Sequence, residues 1–225
     1  MKVLLIIPAY NEEANIERVV DNLIEKFSEF DYVIVNDGSH DRTPDICRQK
    51  NYRFLDLPIN LGLSGAFQAG IKYAYKHDYD CAIQFDADGQ HRPEFLTSMV
   101  NELEDNDIVI GSRFVNRDKP NSLRMFGNNL ISSMIKLTTG IRINDPTSGL
   151  RAYNKRAIKE LAVGPNLGPE PDTIAYFIRK KGMRVAEVQA DMNDRIAGES
   201  YFNWKSAASY MARTTLSVLF IQFFR

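Results

Sequence analysis

Asp86 and Asp88 stand one residue apart in Phe85-Asp86-Ala87-Asp88-Gly89-Gln90-His91, directly after the apolar run Cys81-Ala82-Ile83-Gln84-Phe85. A run of that length reads as a buried strand, so the two carboxylates fall where a strand breaks into a loop. Residues two apart in extended backbone point the same way, and a pair of carboxylates suits a hard divalent cation that carries substrate phosphates. A diphosphate ligand is implied. Two plainer readings compete. One is an acidic turn with Gly89 at its tip. The other is an EF-hand loop starting at Asp86, which fails because His91 occupies the position that needs glycine and Thr97 the position that needs glutamate.

The surrounding elements explain how such a loop would be held. Val3 to Ile7 is a continuous apolar run ended by Pro8, as expected of a central parallel strand. Ile16, Val19, Val20, Leu23, Ile24 and Phe27 then make a helical stripe with Glu17, Arg18, Asp21 and Glu25 outside it. Tyr32-Val33-Ile34-Val35 is a second strand, Asn36 to Asp41 a turn, and Thr43-Pro44 opens another helix. Tyr52 to Leu55 (strand), Ser64 to Lys76 (helix), Pro93 to about Glu104 (helix) and Ile108-Val109-Ile110 (strand) continue the alternation. Repeated βα units predict an α/β fold with an open, mostly parallel sheet, whose ligands bind beyond the strand C-termini. The turns after the first, second and Asp86 strands therefore share one edge. Further on, helices are predicted over Leu123 to Thr139, Lys155 to Leu161 and Thr173 to Lys181, with a late strand over Arg184 to Val188.

Composition narrows the classes. The chain has 225 residues, 44% hydrophobic and 25% charged, enough for one full core. A formal net charge of -1 and the lack of any Lys/Arg-rich block argue against nucleic acid as a partner. Cys47 and Cys81 suggest neither a disulfide framework nor a zinc site, which fits a reducing, cytosolic setting. The opening Met1 to Pro8 is too short an apolar run for a signal peptide. The glycines of Asn60-Leu61-Gly62-Leu63-Ser64-Gly65 match neither a Walker A loop, since Ile71 stands where lysine is needed, nor a Rossmann fingerprint, since Phe67 and Gln68 replace its third glycine.

Five spaced stretches match one family in order: Pro8-Ala9-Tyr10-Asn11-Glu12-Glu13, Val35-Asn36-Asp37-Gly38-Ser39, Asp86-Ala87-Asp88-Gly89-Gln90, Gly111-Ser112-Arg113 and Asp145-Pro146-Thr147-Ser148-Gly149-Leu150-Arg151. Over roughly residues 1 to 200 the chain resembles the inverting family 2 glycosyltransferases, and within them the dolichol-phosphate mannose synthase-like enzymes. The resemblance implies a GT-A fold, a nucleotide-diphosphate sugar as donor, a polyprenyl phosphate as acceptor, and Mg²⁺ or Mn²⁺ held by Asp86, Asp88 and Gln90. It places Pro8, Ala9, Tyr10, Glu12, Asp37, Gly65, Asp86 and Ala87 around the donor, with Asp37 accepting hydrogen bonds from the base or ribose. It places Arg113, Arg124, Asn128 and Arg195 around the acceptor phosphate, a task suited to guanidinium forks. Asn128 departs from the serine usual there.

A phosphate acceptor is an anion near neutral pH, since its second pKa is ~6, so a strong base is unnecessary. A hydroxyl acceptor would instead need a carboxylate to take its proton, and Asp145, Glu170 and Asp172 are the candidates, with no choice made between the last two. Enzymes that extend a glycan hydroxyl, and non-catalytic nucleotide-sugar-binding subunits, are the alternative functions. The expected organisation is a catalytic domain over 1–198 and an apolar C-terminal helix over 199–225. From Tyr201 onward there is no acidic residue, Trp204 and Tyr210 supply interfacial aromatics, Lys205, Arg213 and Arg225 supply charge, and Leu216, Val218, Leu219, Phe220, Ile221, Phe223 and Phe224 crowd the end. Too short to span a bilayer alone, the segment 203–225 is expected to lie on the cytoplasmic face of the membrane, join a homo-oligomer, dock on a small integral membrane partner, or bury itself in the catalytic domain.

Overall fold

A computed structural model describes residues 1–120, 122–164, 167–193 and 204–221. In chain order the elements are β1 (Val3–Ala9), α1 (Ile16–Lys26), β2 (Asp31–Asn36), α2 (Thr43–Gln49), β3 (Phe54–Asp56), α3 (Gly62–Lys76), β4 (Cys81–Gln84), a 3-10 turn (Pro93–Phe95) leading into α4 (Leu96–Glu102), β5 (Ile108–Ser112), α5 (Leu123–Thr139), β6 (Arg151–Asn154), α6 (Lys155–Val163), α7 (Pro171–Lys181), β7 (Val185–Gln189), and α8 (Trp204–Leu216) ending in a π turn (Ser217–Ile221).

The strands form one sheet in the order β3-β2-β1-β4-β6-β5-β7. The pairs β1–β2, β1–β4, β2–β3 and β5–β7 are parallel, while β6 runs antiparallel to both β4 and β5. Period-two alternation sorts the central strand between two cores. Leu4 and Ile6 face the layer of α3, α5, α6 and α7, whereas Val3, Leu5 and Ile7 face α1, α2 and α4. Gly70 lets α3 lie directly on β1, because a Cβ there would run into the Ile6 side chain. Ser122 caps α5 by accepting from the Met125 N–H at 3.3 Å, and Gly140 closes it at φ 78°.

The sequence does not announce β6, whose four residues begin with an arginine and end with an asparagine. That strand separates β4 from β5 in the sheet and reverses direction there. The helix predicted from Pro93 to Glu104 is a 3-10 turn followed by a shorter α4, and α3 starts at Gly62, two residues earlier than predicted.

Within the C-terminal segment, Val218 is buried in the same core as α5 and α7, and the Ser217 hydroxyl donates to Asp172 Oδ2 at 2.6 Å. Met211 lies against Gly127 of α5. Leu216 and Phe220, four residues apart, are 56% and 58% exposed. Among the described residues no helix is long and apolar enough to cross a membrane.

Candidate active site

The site grows from strand ends on one edge of the sheet. Beyond β4, the Asp86 N–H donates to His91 Nδ1 at 2.9 Å, so a neutral His91 ring carries its proton on Nε2, which lies 3.5 Å from Asp86 Oδ2. Gln84 Nε2 donates to Asp86 Oδ1 at 3.1 Å. The Asp88 carboxylate accepts from the Gln90 N–H at 3.0 Å, and Gly89 takes φ 78° to allow the turn. His91 is buried, packs its ring 5.5 Å from that of Phe85, and bridges to Met192, which anchors the far side of the loop. Asp86, Asp88 and Gln90 are all half-buried, while Ala87 is buried. His91 is the residue of this loop to which the sequence assigns no role, and its buried contact with Asp86 makes it a positioning residue.

The loops after β1 and β2 lock together. Asn11, at φ 54°, donates its N–H to Ser39 Oγ and accepts from the His40 N–H, while the Glu12 N–H donates to Thr43 Oγ1 and the Glu13 N–H to Asp41 Oδ2. This fixes the turn carrying Pro8, Ala9, Tyr10 and Glu12 against the turn carrying Asp37. Asp37 is buried, and its Oδ1 accepts from the Leu61 N–H at 2.7 Å, tying the approach to α3 to the same edge. Gly38 is required there, because at φ +66° a Cβ would lie 2.6 Å from the Ile59 carbonyl carbon. Gly65 lies in the first turns of α3, where a side chain would strike Leu61.

The turn Asp145 to Gly149 joins this loop to Arg113. At one end, a Cβ on Gly149 would lie 2.8 Å from Asp86 Oδ2. At the other, Asp145, with 0% of its surface exposed, accepts from Arg113 Nε at 2.7 Å, Arg113 Nη2 at 2.8 Å and Asn128 Nδ2 at 3.0 Å. Burial alone would raise the Asp145 carboxyl, but the bonds and charge of Arg113, with help from Asn128, hold it below the usual carboxylate range. Such a group is a clamp for Arg113 and a poor proton acceptor. Arg113 gives one edge of its fork to the clamp and retains further N–H donors for an anion.

Arg151 follows the turn as a buried cation whose guanidinium donates to the carbonyls of Pro146, Ser148 and Pro169. It thereby sets the turn against the segment leading to Glu170. Glu170 precedes α7 and accepts from Ser64 Oγ at 3.3 Å, beside the start of α3. Asp172, two residues on, is buried and turned to Ser217. Arg124 belongs to α5, but its side chain is outside what is described, and Arg195 lies outside the described residues altogether.

An open sheet built of βα units, with an Asp-x-Asp loop beyond a central strand and an arginine clamp beside it, defines a glycosyltransferase of the GT-A class. The model of "Glycosyl transferase family 2" matches residues 4–162, and the chain belongs to that family. An undecaprenyl-phosphate mannosyltransferase of Micrococcus luteus is 30% identical over 214 residues, covering 89% of this chain and 87% of that protein. A UDP-N-acetylglucosamine–dolichyl-phosphate N-acetylglucosaminyltransferase of Methanococcus voltae is 34% identical over 182 residues, 71% of this chain and 72% of that protein. In fold, the chain superposes on a mannosyltransferase from Pyrobaculum calidifontis, solved in complex with GDP-Man and Mn²⁺, with a TM-score of 0.68 at 20% identity, covering 96% of this chain and 63% of that one.

Proposed function

We propose that this enzyme transfers a hexose from a nucleotide-diphosphate sugar to a polyprenyl phosphate by direct displacement with inversion. The observation that carries the reading is the Arg113–Asp145 clamp. The acid best placed in the turn is committed to an arginine, so the site offers a cation where a hydroxyl acceptor would require a base. Asp172 is likewise committed, to Ser217. Glu170, which accepts from Ser64 Oγ just before α7, would line the cleft and orient the sugar or acceptor. The relatives named above act on polyprenyl phosphates, which supports the same acceptor class.

The residues present fit a divalent ion, Mg²⁺ or Mn²⁺. Asp86 and Asp88 are hard oxygen donors on a half-buried loop, and buried Gln84 Oε1 beside them has no hydrogen-bond partner among the described residues. An ion of this kind is commonly held by one or two carboxylates together with substrate phosphates. When bound by Asp86, Asp88 and Gln90, such an ion offsets the charge of the leaving diphosphate. Asp37 and the Pro8 to Glu12 turn bind the nucleotide, and Arg113 holds the acceptor phosphate so that its oxygen faces C1 of the sugar.

We place the enzyme at the cytoplasmic membrane face, with 203–225 in contact with lipid or with a partner there. Exposed Phe126, Leu130 and Leu137 on α5, together with exposed Leu216 and Phe220, supply the apolar side chains for such a contact. Arg113→Ala tests the acceptor assignment. Turnover with polyprenyl phosphate should fall about 100-fold while donor affinity by calorimetry changes less than about twofold, the loss of a charge-assisted fork at one substrate only. Collapse of donor affinity with unchanged acceptor kinetics would assign Arg113 to the donor.

A further inference from the structure

Immediately after Arg113 the chain opens a cavity of about 460 Å³, lined by Phe114, Arg117, Lys119, Asn129, Arg142 and Asn144 among others. Arg117, Lys119 and Arg142 bring three cations to its wall against one lining carboxylate, the exposed Asp118. Arg117 is paired with Asp191 at 2.8 Å. Lys119 and Arg142 form no ion pair among the described residues. The Lys119 ammonium donates to two amide oxygens, Asn128 Oδ1 at 2.6 Å and Asn129 Oδ1 at 2.8 Å.

Asn128 ties this lysine to the clamp. Its Oδ1 accepts from Lys119, while its Nδ2 donates to Asp145 Oδ1 and, at 2.9 Å, to Thr147 Oγ1. Asn128 therefore spends its amide on protein partners, and Lys119 is the group it presents. Burial holds the Lys119 ammonium below the ordinary lysine value; Arg142 and Arg113 push the same way, and Asp145 and Glu187 oppose them. A half-buried ammonium whose charge burial disfavours is a group that an added anion would relieve.

We propose that Lys119 and Arg142 form a phosphate-monoester subsite that receives the acceptor's phosphate next to Arg113 and sets the enzyme's preference for a phosphorylated acceptor. The inference rests on the acceptor class proposed above. The shared chemistry is a dianionic phosphate on a single ester carbon, whether that carbon ends a polyprenyl chain or belongs to a small soluble phosphoester. Lys119 supplies a point charge steered by Asn128 and Asn129, and Arg142, also on the lining, adds a guanidinium fork.

The test uses the full chain with Lys119→Met, Lys119→Arg and Arg142→Met, each checked for an unchanged melting temperature. Arg142 is exposed, so its variant gives a readout even if Lys119→Met folds poorly. KM for polyprenyl phosphate should rise about tenfold in each Met variant, the loss expected of one charge-assisted hydrogen bond, with KM for the nucleotide sugar unchanged and most acceptor affinity kept by Lys119→Arg. Inorganic phosphate and glycerol 3-phosphate should inhibit donor hydrolysis by wild-type enzyme, and the Met variants should relieve that inhibition. If wild type transfers nothing to polyprenyl phosphate but this inhibition and its relief are seen, the subsite stands and the lipid acceptor falls. Unchanged acceptor KM and unchanged inhibition in both Met variants would overturn the subsite.

Discussion

Asp145 sits in a polar turn where the sequence reads it as an acid able to take a proton, yet its carboxylate is taken up by Arg113 and Asn128. Its folded pKa is lowered, so the carboxylate contributes stability that is present above its unfolded value of about 3.9 and is lost as pH falls through the folded value. Asp145→Asn should cost about 2 kcal/mol at neutral pH, less than the ~3–5 kcal/mol of a fully buried pair because Arg113 is partly exposed. Urea midpoints measured from pH 6 to pH 2 should show the wild-type advantage shrinking below about pH 4 until the two proteins meet. Parallel curves across that range would mean that the Arg113 contact does not set the Asp145 titration. His91 and Arg151 mark the limit of reading residues one at a time. A lone histidine after a turn and an arginine beginning a strand look like surface residues in sequence, and only burial shows one bracing Asp86 and the other joining three carbonyls.

Among the elements, the parallel part of the sheet was legible because β1, β2, β4 and β5 carry continuous apolar runs separated by helical stripes, a pattern that local chemistry alone dictates. β6 was not. Arg151-Ala152-Tyr153-Asn154 alternates too briefly to signal a strand, and its place between β4 and β5 is set by long-range pairing, Ala82 with Tyr153 and Val109 with Ala152. That insertion matters to the site, because β6 delivers the Asp145 to Gly149 turn to the tip of β4. Gly149 is where the two touch. Gly149→Ala should displace the Asp86 carboxylate, which Gln84 and His91 hold in place, and lower turnover about 10- to 100-fold with little change in melting temperature. Wild-type turnover at wild-type metal concentration would show that the turn does not fix the loop.

At the scale of the molecule, the interlocked loops after β1 and β2, the Asp86 loop, the Arg113 clamp and the cationic groove are all built on strand ends of a single sheet, with exposed apolar residues on α5 and the C-terminal segment besides. The crowding of apolar residues after Leu216 was plain in the sequence. Its division was not, because Val218 turns into the core while Leu216 and Phe220 turn out, and a helix wheel cannot assign faces at a π turn. Leu216→Asp with Phe220→Asp should abolish flotation with anionic liposomes while leaving donor binding and melting temperature unchanged. Undiminished flotation would remove this face from the membrane contact.

The product of one reaction tests direct, inverting transfer to a lipid phosphate most directly. Enzyme, labelled nucleotide sugar and polyprenyl phosphate are incubated with Mg²⁺ or Mn²⁺, and the anomeric configuration of the sugar-phosphate linkage is read by NMR. The predicted result is a polyprenyl phosphosugar of inverted configuration, absent with excess EDTA. Transfer that persists in EDTA, a product with retained configuration, or transfer to a glycan hydroxyl in preference to the lipid phosphate would contradict it.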